Sequence, residues 1–167
     1  MRNKYKMKQV ITVLLFGLLF NACSIDKDSA IERIVDDYYK IYNKRQDIDK
    51  FIGFYDNDIL LEDIINGDRI EGKSDLKIFL NWGNLNFKIL ESNSLKITEK
   101  IIKGNKAVVK GYFTKFQWGE NEFESMHFTT ILTFNDSNKI IKQVDWINYP
   151  TGLVNYDERK NSNEWIK

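Results

Sequence analysis

The sequence predicts one α+β domain in which helices come first and a curved antiparallel sheet follows. Apolar residues recur at helical spacing in the first half of the chain, and long β-type segments between short Gly, Asn and Asp turns fill the second half. The length of 167 residues suits a single domain. Because long strands twist and curl, we expect the sheet to bend strongly around the helices.

Three helices are predicted, two ahead of the first strand and a third between a short hairpin and the long strands. A capping box at residues 29–32 starts the first helix, because its serine and glutamate can satisfy free amides at a helix N-terminus. The apolar face of this helix comprises Ile31, Ile34, Val35, Tyr38, Ile41 and Tyr42. Asp47 is a suitable N-cap for a second, shorter helix, and Gly72 with Ser74 opens a third.

The remaining segments are predicted to be strands, and those of the second half have the pattern of a meander. A strand at Ile59–Ile65 is closed by the turn Asn66–Asp68, and Arg69–Glu71 is a short return strand. Four long β-type segments follow, at Leu95–Ile102, Lys106–Trp118, Phe123–Phe134 and Lys139–Tyr149. Short turns between long strands predict antiparallel pairing of neighbours.

The N-terminus has the features of an export signal. A basic start without acidic residues precedes the uncharged run Val10–Phe20, which is shorter than the roughly 20 residues that span a bilayer as a helix. A small residue, Ala22, then precedes Cys23, so residues 1–22 are predicted to be a removable signal peptide. Residues 23–28 would be a tether, 29–155 the folded domain and 156–167 a polar tail.

Cys23 is the predicted lipidation site. The segment Leu19–Cys23 resembles the lipobox of bacterial lipoproteins, in which the cysteine sulfur carries a diacylglycerol group. The resemblance implies a membrane anchor at the bacterial cell envelope, on the periplasmic or the surface side. Two acyl chains give stable anchoring. An ordinary signal peptide followed by an incidental thiol remains the alternative.

Charge argues against a nucleic-acid partner. The full chain has 25 Lys and Arg against 24 Asp and Glu, and four of the basic residues precede Cys23. The predicted mature chain is therefore slightly acidic and has no basic stripe that could follow a phosphate backbone. With a single cysteine and a single histidine, the sequence also offers no metal-ligand cluster, and we expect neither a metal nor another cofactor.

Three motifs in this order resemble the SnoaL-like branch of the nuclear transport factor 2-like superfamily. They are Asp47–Phe51, Asp68–Leu76 and Thr133–Ile141, which correspond to the second helix, the Gly-led start of the third helix, and a hairpin with an acidic turn. The resemblance implies a cone-shaped domain with three N-terminal helices packed on a strongly curved antiparallel meander. It also implies a pocket at the wide end and, in many members, a homodimer formed through the sheet.

Asp145 and His127 are the candidate catalytic residues. By the resemblance, Asp145 falls where SnoaL-type cyclases carry a catalytic aspartate on the last strand. Apolar neighbours would desolvate this carboxylate and raise its pKa, which suits acid–base work. His127 is the only histidine, lies on the neighbouring strand and can move a proton near neutral pH.

The predicted register leaves these two residues without a direct pairing. Antiparallel pairing across the turn at 136–138 places Asp145 opposite Thr129 and His127 opposite Ile147, so they would be diagonal neighbours on one face. The more apolar face would contain Met126, Phe128, Leu132, Phe134, Ile140, Val144 and Trp146. Asp145 and His127 would then point away from the core, unless a bulge in either strand reverses the orientation.

Seven residues are candidates for ligand binding in the pocket: Tyr38, Tyr42, Asp63, Tyr112, Trp118, Trp146 and Tyr149. The aromatic members combine an apolar body with a polar tip, but simple core packing is the more common reason for such residues. For Asp63, a carboxylate that faces water is the more common alternative. The chain contains neither a Gly-rich phosphate loop nor a serine nucleophile elbow.

These observations leave three functions open. The first is an exported, lipid-anchored domain that binds a small apolar ligand or a partner in its pocket, without turnover. The second is a SnoaL-type isomerase, cyclase or hydrolase that uses Asp145 with His127 as acid and base. The third is an envelope protein that dimerises through its sheet and leaves the pocket unused.

Overall fold

The computed structural model describes residues 27–154 and 162–166. The predicted signal peptide, Cys23 and residues 155–161 lie outside the described residues, so the predictions for them stay predictions. Among the residues that are described, no helix is both long and apolar enough to cross a bilayer.

Three α-helices occur within the described residues: α1 at residues 27–44, α2 at Ile48–Ile52 and α3 at Lys73–Leu80. Asp47 caps α2 as predicted, because its carboxylate accepts the Lys50 amide at 2.9 Å. The predicted start of α1 is wrong, since residue 27 is already helical and Ser29 lies inside the helix.

Nine strands are described, and six of them form one sheet in the order β2-β1-β9-β8-β5-β4. Their bounds are β1 Tyr55–Asp63, β2 Asp68–Glu71, β3 Phe87–Ile89, β4 Leu95–Lys103, β5 Lys106–Phe113, β6 Phe116–Trp118, β7 Asn121–Phe123, β8 Met126–Phe134 and β9 Ile140–Ile147. Strands β3, β6 and β7 form a second, three-stranded sheet.

The core lies between the helices and one face of the large sheet, which confirms the predicted α+β class. Ile31 and Val35 of α1, Phe51 of α2 and Leu76 of α3 are fully buried in one cluster with Leu132 of β8. Burial of these apolar side chains is the main stabilising contribution of the fold.

Three features of the strands differ from the sequence prediction. The sheet is mixed, because β1 pairs with β9 in parallel, whereas a purely antiparallel meander was expected. The predicted strand Lys106–Trp118 is interrupted at Thr114–Lys115, so β5 stays in the large sheet and β6 pairs with β3 instead. The short strand β3 had no counterpart in the prediction.

Gly111 permits a close approach between β5 and β4. A Cβ atom at this position would lie 2.3 Å from the Lys96 carbonyl oxygen and 2.9 Å from the Phe128 ring. The β4–β5 register shifts between Ile97 and Glu99 at the same place. A glycine is therefore required where the sheet is irregular.

A register shift in the β8–β9 hairpin turns Asp145 into the core. Phe134 pairs with Ile140, but the next pair is Thr133 with Lys142, so β9 carries one extra residue. Asp145 consequently lies opposite Thr130, and the predicted pairing with Thr129 is wrong by one position.

Candidate functional site

An aromatic cavity of about 500 Å³ lies beside the large sheet, where α1 ends and β8 begins. This volume falls within the range of about 300–1,000 Å³ that is usual for small-molecule sites. Its aromatic lining consists of Tyr42, Phe87, Phe113, Phe116, Trp118, Phe123 and Tyr149.

The interruption of the strand at Thr114–Lys115 creates one wall of this cavity. Beyond it, β6 leaves the large sheet and pairs with β3 and β7. The Phe116 ring stacks on Phe123 at 5.3 Å and contacts Phe87 at 5.7 Å between ring centroids. The small sheet thus presents a row of aromatic rings to the cavity.

Arg45 lies among aromatic rings at the end of α1 and also lines the cavity. Its guanidinium carbon is 4.4 Å from the Phe87 ring centroid, 5.2 Å from Trp82 and 5.8 Å from Tyr42. Such cation–π contacts stabilise an arginine that is partly removed from water.

Next to the cavity lining, a chain of hydrogen bonds crosses the core. The hydroxyls of Tyr38 and Tyr55 are 2.9 Å apart, and the Tyr55 hydroxyl donates to Gln143 Oε1 at 2.7 Å. Gln143 Nε2 in turn donates to Asp145 Oδ2 at 2.7 Å, and Thr130 Oγ1 donates to Asp145 Oδ1 at 2.5 Å. All five side chains are buried, so each depends on its partners in this chain.

Burial raises the pKa of Asp145 to about 6, although the hydrogen bonds from Thr130 and Gln143 act in the opposite direction. Asp63 contributes to the rise, because it lies opposite Asp145 on the parallel strand β1. Burial also raises the pKa of Asp63 itself, despite hydrogen bonds that include one from Tyr149.

Tyr149 connects the cavity with the buried carboxylates. Its ring lines the cavity, and its hydroxyl donates to Asp63 Oδ2 at 2.5 Å. Burial, together with the charge of Asp63, raises the pKa of this hydroxyl well above its usual range. A proton on Tyr149 is therefore held firmly in place.

The structure separates the two candidate catalytic residues. Thr130 and Asp145 pair on the inner face of the sheet, whereas His127 has the opposite parity on β8 and is exposed. The expectation that His127 and Asp145 share a face is therefore wrong. Neither of them is among the residues that line the aromatic cavity.

The seven ligand-binding candidates fall into three groups. Tyr42, Trp118 and Tyr149 line the cavity, whereas Tyr38 and Asp63 are buried beside it in hydrogen-bonded positions.

Tyr112 and Trp146 lie on the other face of the sheet. Tyr112 pairs with His127, and Trp146 is 39 % exposed near it. The same extra residue in β9 that buries Asp145 turns Trp146 outward.

Sequence reasoning missed Arg45 and Gln143. Arg45 continues the helical spacing of Tyr38 and Tyr42 at the end of α1, which is a signal that could have placed it beside them. Gln143 had no such signal, because the extra residue in β9 decides which side it faces.

Solved structures with the same fold support the assignment of the architecture. A protein described as a SnoaL-like polyketide cyclase from Shewanella putrefaciens CN-32 has a TM-score of 0.61 and 17 % identity, covering 72 % of this chain and 90 % of its own. An NTF-2 like protein of unknown function from Burkholderia xenovorans LB400 has a TM-score of 0.57 and 13 % identity, with coverage of 84 % and 96 %.

An LEH-like epoxide hydrolase from M. tuberculosis is similar as well, with a TM-score of 0.58, 15 % identity and coverage of 72 % and 84 %. Neither a protein-family model nor a curated protein sequence matches the chain. At these identities the likeness concerns the fold alone, and the chain has an NTF2-like α+β fold.

Proposed function

We propose that this domain binds a small, largely apolar ligand in the aromatic cavity without turning it over. The observation that carries the proposal is a cavity of about 500 Å³ with aromatic walls. Concave, mainly apolar sites with a few polar groups are the usual form of small-molecule sites in proteins.

The positions of the candidate acid and base support binding over catalysis. Proton transfer requires a group within hydrogen-bond reach of the substrate, directly or through one water. Both carboxylate oxygens of Asp145 accept hydrogen bonds from protein side chains, and Asp145 is not among the residues that line the cavity. His127 is on the far face of the sheet.

The proposal is tested with N-phenyl-1-naphthylamine, an uncharged apolar dye whose fluorescence rises when it leaves water. We expect saturable enhancement with the wild-type chain. Met126 begins β8 and lines the cavity, so Met126→Trp should weaken dye binding at least about tenfold by filling the space.

Thr133→Trp is the matched control, because it adds the same side chain to β8 on the face turned away from the core. It should leave dye binding unchanged. Absence of saturable binding by the wild type, or equal loss in both variants, contradicts the proposal.

A second candidate function is an enzyme that uses Asp145, and the raised pKa of that carboxyl, about 6, is the observation that favours it. Epoxides, the substrate class in the name of the M. tuberculosis neighbour, provide the assay. Turnover that Asp145→Asn abolishes while the circular dichroism spectrum is unchanged would establish this function. If neither the wild type nor Asp145→Asn converts the epoxides, ligand binding without turnover is the better explanation of the site.

We also propose that the domain is exported and anchored through lipid on Cys23. The basic start, the short apolar run and the Cys23 context support this. Expression in a bacterium with an alkyne analogue of palmitate should label the wild type, and Cys23→Ala should be unlabelled and free of the membrane fraction. Equal labelling of both proteins contradicts the anchor at this residue.

A further inference from the structure

We infer that the ligand is an apolar monocarboxylate whose carboxylate group binds Arg45 inside the aromatic cavity. The inference rests on the proposed function, which requires only that an apolar ligand enters the cavity. It adds the chemical class of that ligand and names the side chain that selects it.

Arg45 is the only charged side chain among the described residues that line the cavity. No ion pair joins Arg45 to a carboxylate of the part of the chain that the structure describes. Arg69 shows the contrast, because its guanidinium pairs with Glu62 at 2.9 Å and with Glu71 at 3.2 Å. A guanidinium in a partly buried position without a carboxylate partner gains most from an anion supplied by a ligand.

The backbone holds Arg45 at this position. It adopts the left-handed conformation with a φ of 46°, and its amide donates to the carbonyl oxygens of Ile41 and Tyr42 at 3.1 and 3.2 Å. Left-handed geometry at the end of a helix normally favours glycine or asparagine. Here an arginine occupies it, so the helix end delivers a cation to the cavity.

The surrounding rings restrict how the guanidinium presents its donors. Phe87, Trp82 and Tyr42 all lie within cation–π distance of its central carbon. The N–H donors of a guanidinium lie in its plane as a fork that matches the two oxygens of a carboxylate. Rings that pack around the group limit its rotation and reduce the entropy lost when a ligand binds.

Three of the four hydroxyl groups in the described lining already donate to other groups of the protein. Thr114 Oγ1 donates to the Asn93 carbonyl at 2.6 Å, Ser94 Oγ to the Tyr42 carbonyl at 3.3 Å, and the Tyr149 hydroxyl to Asp63. Arg45, with the Tyr42 hydroxyl beside it, is therefore the charged group that can recognise a polar end of the ligand. One cation favours one negative charge, because a second buried charge would be unpaired.

The test compares acids with their uncharged esters on the full chain. Isothermal titration calorimetry and displacement of N-phenyl-1-naphthylamine are carried out with decanoate, methyl decanoate, 2-naphthoate and methyl 2-naphthoate. For at least one matched pair, we expect the wild type to bind the carboxylate at least about tenfold more tightly than the ester.

Arg45→Gln should abolish this preference for the carboxylate over its ester, because glutamine retains much of the side-chain length without the charge. The readout is the ratio of the two affinities, whatever the affinity of the variant for the uncharged dye. Arg45→Lys should retain part of the preference for the carboxylate, since lysine keeps the charge but lacks the planar fork of donors. Arg33→Gln is the control, because Arg33 lies on the exposed face of the same helix and the loss of charge is identical.

The outcomes distinguish the two proposals. If the dye binds but acids and esters bind equally, or if Arg45→Gln leaves the preference intact, the carboxylate inference is overturned and the proposed function stands. If the dye and all four compounds fail to bind the wild type, both are overturned. If Arg33→Gln also removes the preference for carboxylates, the preference reflects the overall charge of the protein. The role of Arg45 is then overturned.

Discussion

The two ends of strand β8 differ in how they are packed. At its C-terminal end Leu132 and Phe134 are 0 and 1 % exposed, and they belong to the cluster that joins helices and sheet. At its N-terminal end Met126 is half-buried and lines the cavity. One end contributes stability through close packing, while the other leaves space that a ligand can fill. Stability and binding should therefore respond to different substitutions.

The largest expected effect comes from a matched pair of phenylalanines. Phe134→Ala should lower the free energy of unfolding by about 4 kcal/mol, because it removes a fully buried ring from close-packed surroundings. Phe123→Ala should cost only about 1 kcal/mol, because the Phe123 ring already borders empty space. Urea denaturation of both variants measures the difference, and equal losses would show that the cavity end is packed as tightly as the other.

The second effect concerns the buried chain of hydrogen bonds. Gln143→Leu should lower the free energy of unfolding by about 3 kcal/mol, because it leaves Tyr55 and Asp145 each without one buried partner. Gln117→Leu is the control, since that glutamine donates to Gly119 at an exposed position and should cost less than about 0.5 kcal/mol. A tolerated Gln143→Leu would mean that water reaches these groups.

The third effect is the pH dependence of stability that Asp145 introduces. The pKa of its carboxyl is about 6 in the folded chain, against an ordinary value of 3.8. Folding thus favours the protonated form. The resulting stability is fully present below about pH 3.8 and is lost as the pH rises through about 6.

Asp145→Asn should remove this dependence. Because one pKa unit corresponds to about 1.4 kcal/mol, the wild type should lose about 2 kcal/mol relative to Asp145→Asn between pH 4 and pH 7. Urea denaturation across that range measures the loss, with the exposed Asp136→Asn as the control. Parallel pH profiles for wild type and Asp145→Asn would contradict the raised pKa.

The sequence was sufficient for the three helices and the long strands of the large sheet, but not for β3 or for the break between β5 and β6. The cap at Asp47 was correct because it depends on local chemistry alone. The extra residue of β9 was not predictable in position, since no turn residue or change of pattern at Ile140–Lys142 marks it in the sequence. That single residue decides whether Asp145 or Trp146 faces the core, so pattern alone could not place the site.

The smallest expected effect tests the resulting orientation of Trp146. Trp118 and Trp146 are similarly exposed, at 43 and 39 %, so replacing either with Thr should cost about 1 kcal/mol of stability. Trp118 lines the cavity, whereas Trp146 lies on the other face of the sheet. Trp118→Thr should therefore weaken the binding of N-phenyl-1-naphthylamine, and Trp146→Thr should leave it unchanged within about twofold. Equal weakening of dye binding by Trp146→Thr and Trp118→Thr would mean that β9 lacks the extra residue. Trp146 would then face the core, and Asp145 would face outward.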